Sequence, residues 1–208
     1  MTPQEPQVVV SAGDFFTQKL KVGEVKEHSH EYCRKLCVGK KVLHIGCSDY
    51  PIFDPKTNMH LYLTPPYTSE LHGCDPNGID TLRQHYNGIY YNSISDVVDD
   101  KEWYDTILVP NVIEHLVNPG LMAEELFAIK FRTLFVLVPN YSISSQATYE
   151  NGIFTEKIHP DHFCWYSPYT LYNLFKKPIE RTGATFEMNF FDNGNMISIL
   201  IQNENIQF

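Results

Sequence analysis

Two long apolar runs constrain the fold of this chain more than any other feature. "WYDTILVP" and "RTLFVLVPN" are continuous stretches of strand length, rich in β-branched and aromatic residues. Such runs are typical of strands buried on both faces in the middle of a parallel sheet. Shorter strand patterns alternate with helical patterns along the chain: "KVLHI", "ELHGC", "PNGIDTLRQHY", "GIYYNSI" and "LMAEELFAIKF". The alternation predicts an α/β fold with a doubly wound, mostly parallel sheet and helices on both faces.

The two ends of the chain depart from this alternation. From Val22 to Leu36 the apolar residues have helical spacing, so residues 1–38 are predicted to form a helical N-terminal extension on a single domain of residues 39–208. Near the C-terminus, "SPYTLYNLFKKPIERTG" predicts a helix at least up to its proline. After it, "ATFEMNFF" and "MISILIQ" flank the turn "DNGN". This pattern predicts an antiparallel hairpin, which an all-parallel dinucleotide fold lacks.

Composition limits the classes of partner. The formal net charge of −9 argues against a general nucleic-acid surface, because neutralising a phosphate backbone needs clustered Lys and Arg; a small basic patch stays open. No apolar run approaches the roughly 18 residues of a membrane span, and no apolar leader follows a basic start. The sequence thus predicts no membrane insertion, and we expect a cytoplasmic protein.

The five cysteines are odd in number, which suits buried reduced thiols better than a disulfide frame. Cys33 and Cys37 lie one helical turn apart, so the pair has the spacing of two metal ligands. Because no second cysteine pair lies nearby, a helix face that packs on the core is the favoured interpretation.

Ligands of open parallel sheets bind outside the carboxyl ends of the strands. At the first such end Gly46 permits close backbone approach, and at the second Asp75 offers a carboxylate to both hydroxyls of a ribose. Each has a plain alternative: Gly46 forms a tight turn, and Asp75 in "DPNG" caps a helix. Together, on successive strands, the two residues favour a cofactor that carries a ribose.

From Lys40 onwards the chain resembles the class I S-adenosylmethionine-dependent methyltransferases. "VLHIGCSD" is similar to their first motif, "LHGCDPN" to their acidic second-strand motif, and "WYDTILVPNVIEHLVNPG" to their fourth-strand segment. "IHPDHFCWYSPYTLYNLF" resembles a stretch found in a branch that includes quinone-biosynthesis and sugar or cell-surface methyltransferases. The resemblance implies a Rossmann-like, seven-stranded sheet closed by the C-terminal hairpin, with S-adenosyl-L-methionine as cofactor.

The same resemblance implies a set of cofactor-binding residues at the strand ends. The motif departs from the family at His44, where an aspartate is usual, and at Ser48 and Tyr50, where glycines are usual. S-adenosylmethionine carries no phosphate, so its loop does not need the strict glycine spacing of a phosphate cradle. The predicted cofactor-binding residues are His44, Gly46, Cys47, Ser48, Asp75, Pro76, Asn92, Ser93, Val109 and Asn111.

Three residues are candidates for chemistry on the acceptor: His115, Glu114 and His162. Histidine has an ordinary pKa near neutrality, so His115 is a candidate general base for an acceptor hydroxyl; alternatively, Glu114 and His115 orient the loop or the amino-acid end of the cofactor. A metal site at these residues together with His159 is a further alternative. Because Asn111 stands where one branch of the family has a glutamate ligand, the sequence favours no metal.

The sequence therefore predicts methyl transfer to a small-molecule or carbohydrate-like acceptor, at oxygen. Two other functions stay open. One is a catalytically silent binding module that keeps the fold, which the altered glycine loop suggests. The other is a nicotinamide-dependent oxidoreductase, which only the generic strand, glycine and acid pattern suggests.

Overall fold

The computed structural model describes residues 7–10, 16–51, 53–144, 147–157 and 159–204. The strands are β1 (Gln7–Val10), β2 (Phe16–Lys19), β3 (Gly23–Glu24), β4 (Lys41–Ile45), β5 (Glu70–Cys74), β6 (Ile89–Tyr91), β7 (Trp103–Pro110), β8 (Lys130–Pro139), β9 (Thr148–Glu150), β10 (Ile153–Thr155), β11 (Thr185–Phe191) and β12 (Met196–Gln202). The helices are α1 (Ser29–Cys37), α2 (Met59–Tyr62), α3 (Ile79–Arg83), α4 (Ile94–Asp100), α5 (Pro119–Ala128), α6 (Tyr141–Ser144) and α7 (Pro168–Thr182), with short 3-10 helices at Ile113–His115 and Asp192–Gly194.

Five parallel strands form the body of the central sheet, whose order is β3-β11-β12-β8-β7-β4-β5-β6. β4 pairs with β5 on one side and with β7 on the other, so the chain runs outward to β6 and then returns to the opposite side of β4. Strand order therefore reverses between β4 and β7. Open α/β sheets bind ligands at the carboxyl ends of the strands that flank such a reversal.

The predicted C-terminal hairpin is confirmed: β11 and β12 are antiparallel, and β12 also pairs antiparallel with β8. The 3-10 turn between them contains Asn193 at φ 58°, a left-handed conformation that asparagine tolerates better than most residues. The sheet has eight strands rather than seven, because β3 adds to its edge in parallel with β11.

The core lies on both faces of the sheet, as the two apolar runs predicted. Ile107 and Val109 of β7 pack in the larger apolar cluster with Leu126 of α5 and Phe175 of α7. Leu108, between them, points to the other face, since side chains alternate along a strand. β7 and β8 are thus covered on both sides, which accounts for their unbroken apolar sequence.

The N-terminal segment is less helical than predicted. α1 begins at Ser29 rather than near Val22, because Gly23 and Glu24 pair with β11 instead. β1 and β2 form a separate antiparallel pair, and residues 1–6 and 11–15 lie outside the described residues. The apolar spacing over residues 22–36 also fits an edge strand followed by a short helix, and the pairing partner β11 is remote in sequence.

Other boundaries moved for local reasons. The sequence predicted α7 at least up to Pro178, and the helix in fact continues through this proline to Thr182. α3 ends at Arg83 and is shorter than its pattern, and the expected strand "GIYYNSI" stops at Tyr91. There the Ser93 hydroxyl caps α4, with reciprocal bonds between Ser93 and Asp96. A serine three residues before an acidic residue favours this helix start over strand continuation.

The five cysteines are free thiols and four of them are buried, as predicted. Cys33 and Cys37 are 0% exposed and pack in the core beneath α1, and burial raises the pKa of both thiols. The helix-face interpretation therefore holds for this pair. Among the described residues, no helix is long and apolar enough to cross a membrane.

Candidate functional site

The turn after β4 and the carboxylate after β5 are joined directly. The Gly46 N–H donates to the Cys74 carbonyl at 2.8 Å, which continues the β4–β5 ladder into the turn. The Ser48 N–H donates to Asp75 Oδ2 at 3.1 Å, and the Asn77 N–H donates to Asp75 Oδ1 at 3.0 Å. Asp75 is only 8% exposed, so its carboxylate is held at the strand end by backbone donors and keeps its remaining lone pairs for a ligand.

Glycine is required at position 46 for two reasons. Gly46 has φ 74°, which favours glycine, and a Cβ there would lie 2.4 Å from Val112 Cγ2. The close neighbour is thus a side chain of the segment after β7. Gly46 lets the turn after β4 and the segment after β7 approach each other at the point where the strand order reverses.

A second glycine compensates for Ser48. Ser48 is 1% exposed and occupies a position where the resembled family has glycine. Across from it stands Gly78, at φ 72°, and a Cβ on Gly78 would lie 2.8 Å from both Cβ and Oγ of Ser48. The space that the serine takes is therefore supplied by a glycine at the start of α3. We call residues 46–49 the glycine turn.

Asn58 is a site-supporting residue whose role in the turn the sequence did not reveal. Its Oδ1 accepts the Leu61 N–H at 3.0 Å and so caps α2, and its Nδ2 donates to the Cys47 carbonyl at 3.2 Å. Asn58 is 3% exposed. The capping signal was visible in the sequence, but the bond to the glycine turn depends on how the connection folds back over β4.

His44 lies directly before the glycine turn and is fully buried. Its ring stacks on that of His60 from α2, with centroids 5.5 Å apart. Within the described residues none of the four ring nitrogens has a hydrogen-bond partner. Burial lowers the pKa of His44 to about 3 and lowers that of His60 as well. Both rings are therefore neutral at physiological pH, and each keeps one donor and one acceptor unused.

Three histidines meet on the other side of the reversal. His115 follows β7, and His159 and His162 lie in the loop that precedes α7. Each offers one ligand atom, and these atoms all lie within 4.8 Å of one another. None of the three residues is buried. We call His115, His159 and His162 the histidine cluster.

Hydrogen bonds hold the cluster in place. His115 Nδ1 lies 3.1 Å from the carbonyl oxygen of Asp161, so Nδ1 carries the proton and Nε2 keeps its lone pair. The Phe163 and Cys164 N–H groups both donate to the Glu114 carbonyl, at 2.8 and 3.1 Å. These bonds fasten the loop that carries His162 to the 3-10 helix that carries His115.

The side chain of Glu114 points away from solvent. Glu114 is 1% exposed, and neither carboxylate oxygen has a partner among the described residues. Burial raises the pKa of this carboxyl to about 8, since removal from water disfavours the charged form. Among the described residues, only the three histidines place their possible metal-ligand atoms close together. Glu114 is therefore a neutral neighbour of the cluster and supplies no ligand atom to it.

Comparisons with known proteins find solved structures with a similar fold but no match by sequence. No family model and no curated protein matches the sequence. A chain in the Pnkp1/Rnl/Hen1 RNA repair complex matches with a TM-score of 0.62 and 14% identity, over 83% of this chain and 40% of that one. The small RNA methyltransferase HEN1 matches with a TM-score of 0.61 and 14% identity, over 91% and 27%.

A third match agrees along nearly the whole of both chains. The N-methyltransferase NodS from Bradyrhizobium japonicum WM9, solved with S-adenosyl-L-homocysteine, has a TM-score of 0.52 and 14% identity, over 85% of this chain and 86% of that one. This chain has the class I methyltransferase fold. It spans 40% and 27% of the length of the two RNA-related chains.

The other predicted cofactor-binding residues lie at or just beyond the carboxyl ends of β4, β5, β6 and β7. Asn92 and Ser93 follow β6 and are exposed, with the Ser93 hydroxyl already engaged as the cap of α4. Val109 is fully buried in β7, so it contributes backbone only. Asn111 is exposed at φ 54°, and its N–H donates to the Leu137 carbonyl at 2.8 Å. Cys47 is buried and Pro76 is exposed.

Proposed function

We propose that this protein transfers a methyl group from S-adenosylmethionine to oxygen of a small-molecule or carbohydrate-like acceptor. The observation that carries the proposal is the junction of Gly46, Ser48 and Asp75 at the carboxyl ends of β4 and β5. There a buried carboxylate, oriented by two backbone N–H groups, faces the turn at the strand-order reversal of a methyltransferase fold. A carboxylate in that position suits the two hydroxyls of a ribose.

The sulfonium of S-adenosylmethionine is already activated, so the main task of the protein is to align acceptor, methyl group and leaving sulfur. An acceptor hydroxyl also has to lose its proton. His115 is suited to this role because its Nε2 keeps a lone pair while its Nδ1–H is bound to the Asp161 carbonyl. In this proposal Glu114 and His162 complete the acceptor side as a neutral carboxyl and a second imidazole.

Trp165 and Tyr141 support a small, partly apolar acceptor. Their rings lie 6.3 Å apart at an interplanar angle of 66°, and the Tyr141 hydroxyl donates to Glu156 at 2.6 Å. Trp165 is 41% exposed. An aromatic face beside polar groups is the usual surface for a sugar or a small ring.

An RNA strand is a second candidate acceptor. The two RNA-related matches have TM-scores of 0.62 and 0.61, against 0.52 for the N-methyltransferase NodS. The net charge of −9 weighs against an extended RNA surface. A nicotinamide cofactor is disfavoured, because the antiparallel β11–β12 hairpin differs from an all-parallel dinucleotide fold.

Calorimetry with the purified full chain tests the cofactor. S-adenosylhomocysteine is expected to bind with one site per chain and NAD is not. Asp75→Asn removes the charge that would hold the ribose and is expected to weaken S-adenosylhomocysteine at least tenfold. Asp80→Asn, an exposed carboxylate in the first turn of α3, is the matched control. Absence of S-adenosylhomocysteine binding to the wild-type protein would refute the proposal.

Transfer of a labelled methyl group tests turnover and the acceptor. Saccharides and small hydroxylated rings form one panel, and RNA oligonucleotides form the other. His115→Ala is expected to lower turnover while leaving S-adenosylhomocysteine affinity unchanged. An equal loss of both would make His115 a residue that positions the cofactor. Cofactor binding without turnover on either panel would favour the silent binding module.

A further inference from the structure

The histidine cluster brings His115, from the segment after β7, together with His159 and His162 of a much later loop. The rings of His115 and His162 are 4.6 Å apart at 85°, those of His159 and His162 are 4.7 Å apart at 29°, and those of His115 and His159 are 5.7 Å apart. Three basic rings at these distances repel one another when protonated. An arrangement of this kind is therefore favourable only when the rings are neutral or share a cation.

The hydrogen bonds of His115 and His159 leave different ring nitrogens available to a metal ion. Binding of the His115 Nδ1–H by the Asp161 carbonyl, at 3.1 Å, leaves Nε2 as an outward lone pair; a backbone carbonyl on the remote nitrogen is the usual support of a metal-bound histidine. His159 Nδ1 accepts the Asp161 N–H at 3.3 Å, a long bond. His159 therefore binds a metal through Nδ1 at the loss of this weak bond, or through Nε2 in its other tautomer.

His162 is held against both partners. Its N–H donates to the His159 carbonyl at 3.2 Å, which closes a turn and sets the two histidines side by side. The loop is anchored by the two bonds to the Glu114 carbonyl, so the three rings stay close without any bound ligand.

We propose that His115, His159 and His162 bind one divalent transition-metal ion of the zinc type. Three imidazoles suit zinc, cobalt or nickel far better than magnesium or calcium, which prefer oxygen. Zinc–nitrogen bonds of about 2.1 Å place tetrahedral ligand atoms roughly 3.4 Å apart. The ligand atoms lie within 4.8 Å here, and rotation of side chains that are not buried closes the difference.

Three protein ligands leave a fourth position open. A water or an acceptor oxygen at that position would lose its proton near neutral pH, because the metal stabilises the anion. A bound ion takes the same His115 Nε2 that a free imidazole would use as a base, so the ion would replace the imidazole in that role. The metal site does not rest on methyl transfer, since the three ligands bind an ion whether or not a cofactor is present.

Metal binding is measured on the full chain without cofactor or acceptor. After chelation and buffer exchange, zinc chloride is titrated by calorimetry, and cobalt(II) is added separately to record the visible absorption of a tetrahedral nitrogen site. We expect one ion per chain. His162→Ala and the triple change His115→Ala, His159→Ala, His162→Ala are expected to weaken zinc at least 100-fold and to abolish the cobalt absorption.

His85→Ala is the matched control, because His85 is an exposed histidine outside the cluster, and it is expected to change nothing. Thermal unfolding of each variant confirms that it is folded, and His159→Gln provides a milder single change. Zinc binding that survives the triple change would overturn the proposal, as would the absence of a one-to-one site in the wild-type protein. Because no methyl group is transferred in this experiment, its failure leaves the proposed methyl transfer intact.

Discussion

The glycine turn follows β4 and the histidine cluster adjoins the segment after β7, so they belong to the two sides of the strand-order reversal. They differ in how many of their polar groups already have hydrogen-bond partners within the protein. At the glycine turn, backbone N–H groups already bind both oxygens of Asp75, and Asn58 binds the Cys47 carbonyl. At the histidine cluster, His115 keeps a free Nε2, and the buried carboxylate of Glu114 has no partner in the described structure. The first region is set by close packing, whereas the second leaves its chemistry open for a ligand.

The largest expected effect comes from breaking the packing of the glycine turn. Gly46→Ala combines a left-handed φ of 74° with a Cβ 2.4 Å from Val112 Cγ2, and is expected to lower the free energy of unfolding by about 3 to 4 kcal/mol. Denaturant unfolding measures it. Gly39→Ala is the control, because Gly39 has φ 67° and open space around its Cβ position; it is expected to cost about 1 to 2 kcal/mol.

Val112→Ala separates the two causes. It removes the contacting methyl group, so the double variant Gly46→Ala, Val112→Ala is expected to be less destabilised than the sum of the single changes by about 1 to 2 kcal/mol. Simple additivity would mean that the turn does not depend on its contact with the segment after β7. The glycine would then matter only for its backbone conformation.

The second effect tests the buried carboxyl of Glu114 beside the histidine cluster, which has no hydrogen-bond partner in the described structure. The pKa of Glu114 is about 8 in the folded protein against an ordinary 4.5, so between these values the folded chain binds more protons than the unfolded chain. Stability therefore falls as pH rises through this interval, by on the order of 3 kcal/mol at pH 7. Glu114→Gln is expected to remove this pH dependence in denaturant unfolding.

Glu150→Gln makes the same chemical change at an exposed position of β9 and is expected to leave the pH profile unchanged. If the alkaline fall in stability persisted in Glu114→Gln, the buried carboxyl would not be its source. On this side of the reversal, the polar groups left available for a ligand would then be those of the histidines alone.

The smallest effect probes the buried histidine pair beneath the glycine turn. Burial lowers the pKa of His44 to about 3 and that of His60 below its usual 6.5, so the unfolded chain binds more protons below pH 6.5. Stability is then complete above pH 6.5 and is lost as the pH falls towards 3. His60→Phe keeps an aromatic ring and is expected to reduce the loss by about 1 kcal/mol at pH 5.5.

Thermal unfolding of His60→Phe and wild type at pH 7.5 and 5.5 measures this difference. A parallel loss in both proteins would show that His60 is not an acid-sensitive group. It would also remove the likeness between the two regions that the buried Glu114 and the buried histidines suggest, namely that each has buried polar atoms without a hydrogen-bond partner in the described structure.

Several features were readable from the sequence because their causes are local or periodic. The apolar runs of β7 and β8, the capping residue Asn58 and the polar turn of the hairpin each indicate their structure within a few positions of the sequence. The limits of α1 were not readable, because β3 forms only by pairing with β11, more than 160 residues later. Such pairing overrides the helical spacing of the local sequence.

The candidate site divides in the same way. Gly46, Asp75 and the Glu114–His115 pair follow strand ends, so the rule for ligands in open sheets was enough to select them. The sequence did not show that Gly78 makes room for Ser48 or that Val112 abuts Gly46, since these contacts join segments that are distant along the chain. It also left open which of the nearby histidines and carboxylates would share one site.

By itself the sequence determined the alternation of strands and helices, the terminal hairpin and the two residues that mark the glycine turn, because periodicity, capping and turn chemistry act over short distances. Only the tertiary structure decided that His115, His159 and His162 form one cluster while Glu114 beside it is buried and adds no ligand atom. The physical reason is that convergence depends on how the loop before α7 is bonded to the segment after β7, and no local pattern encodes that distance.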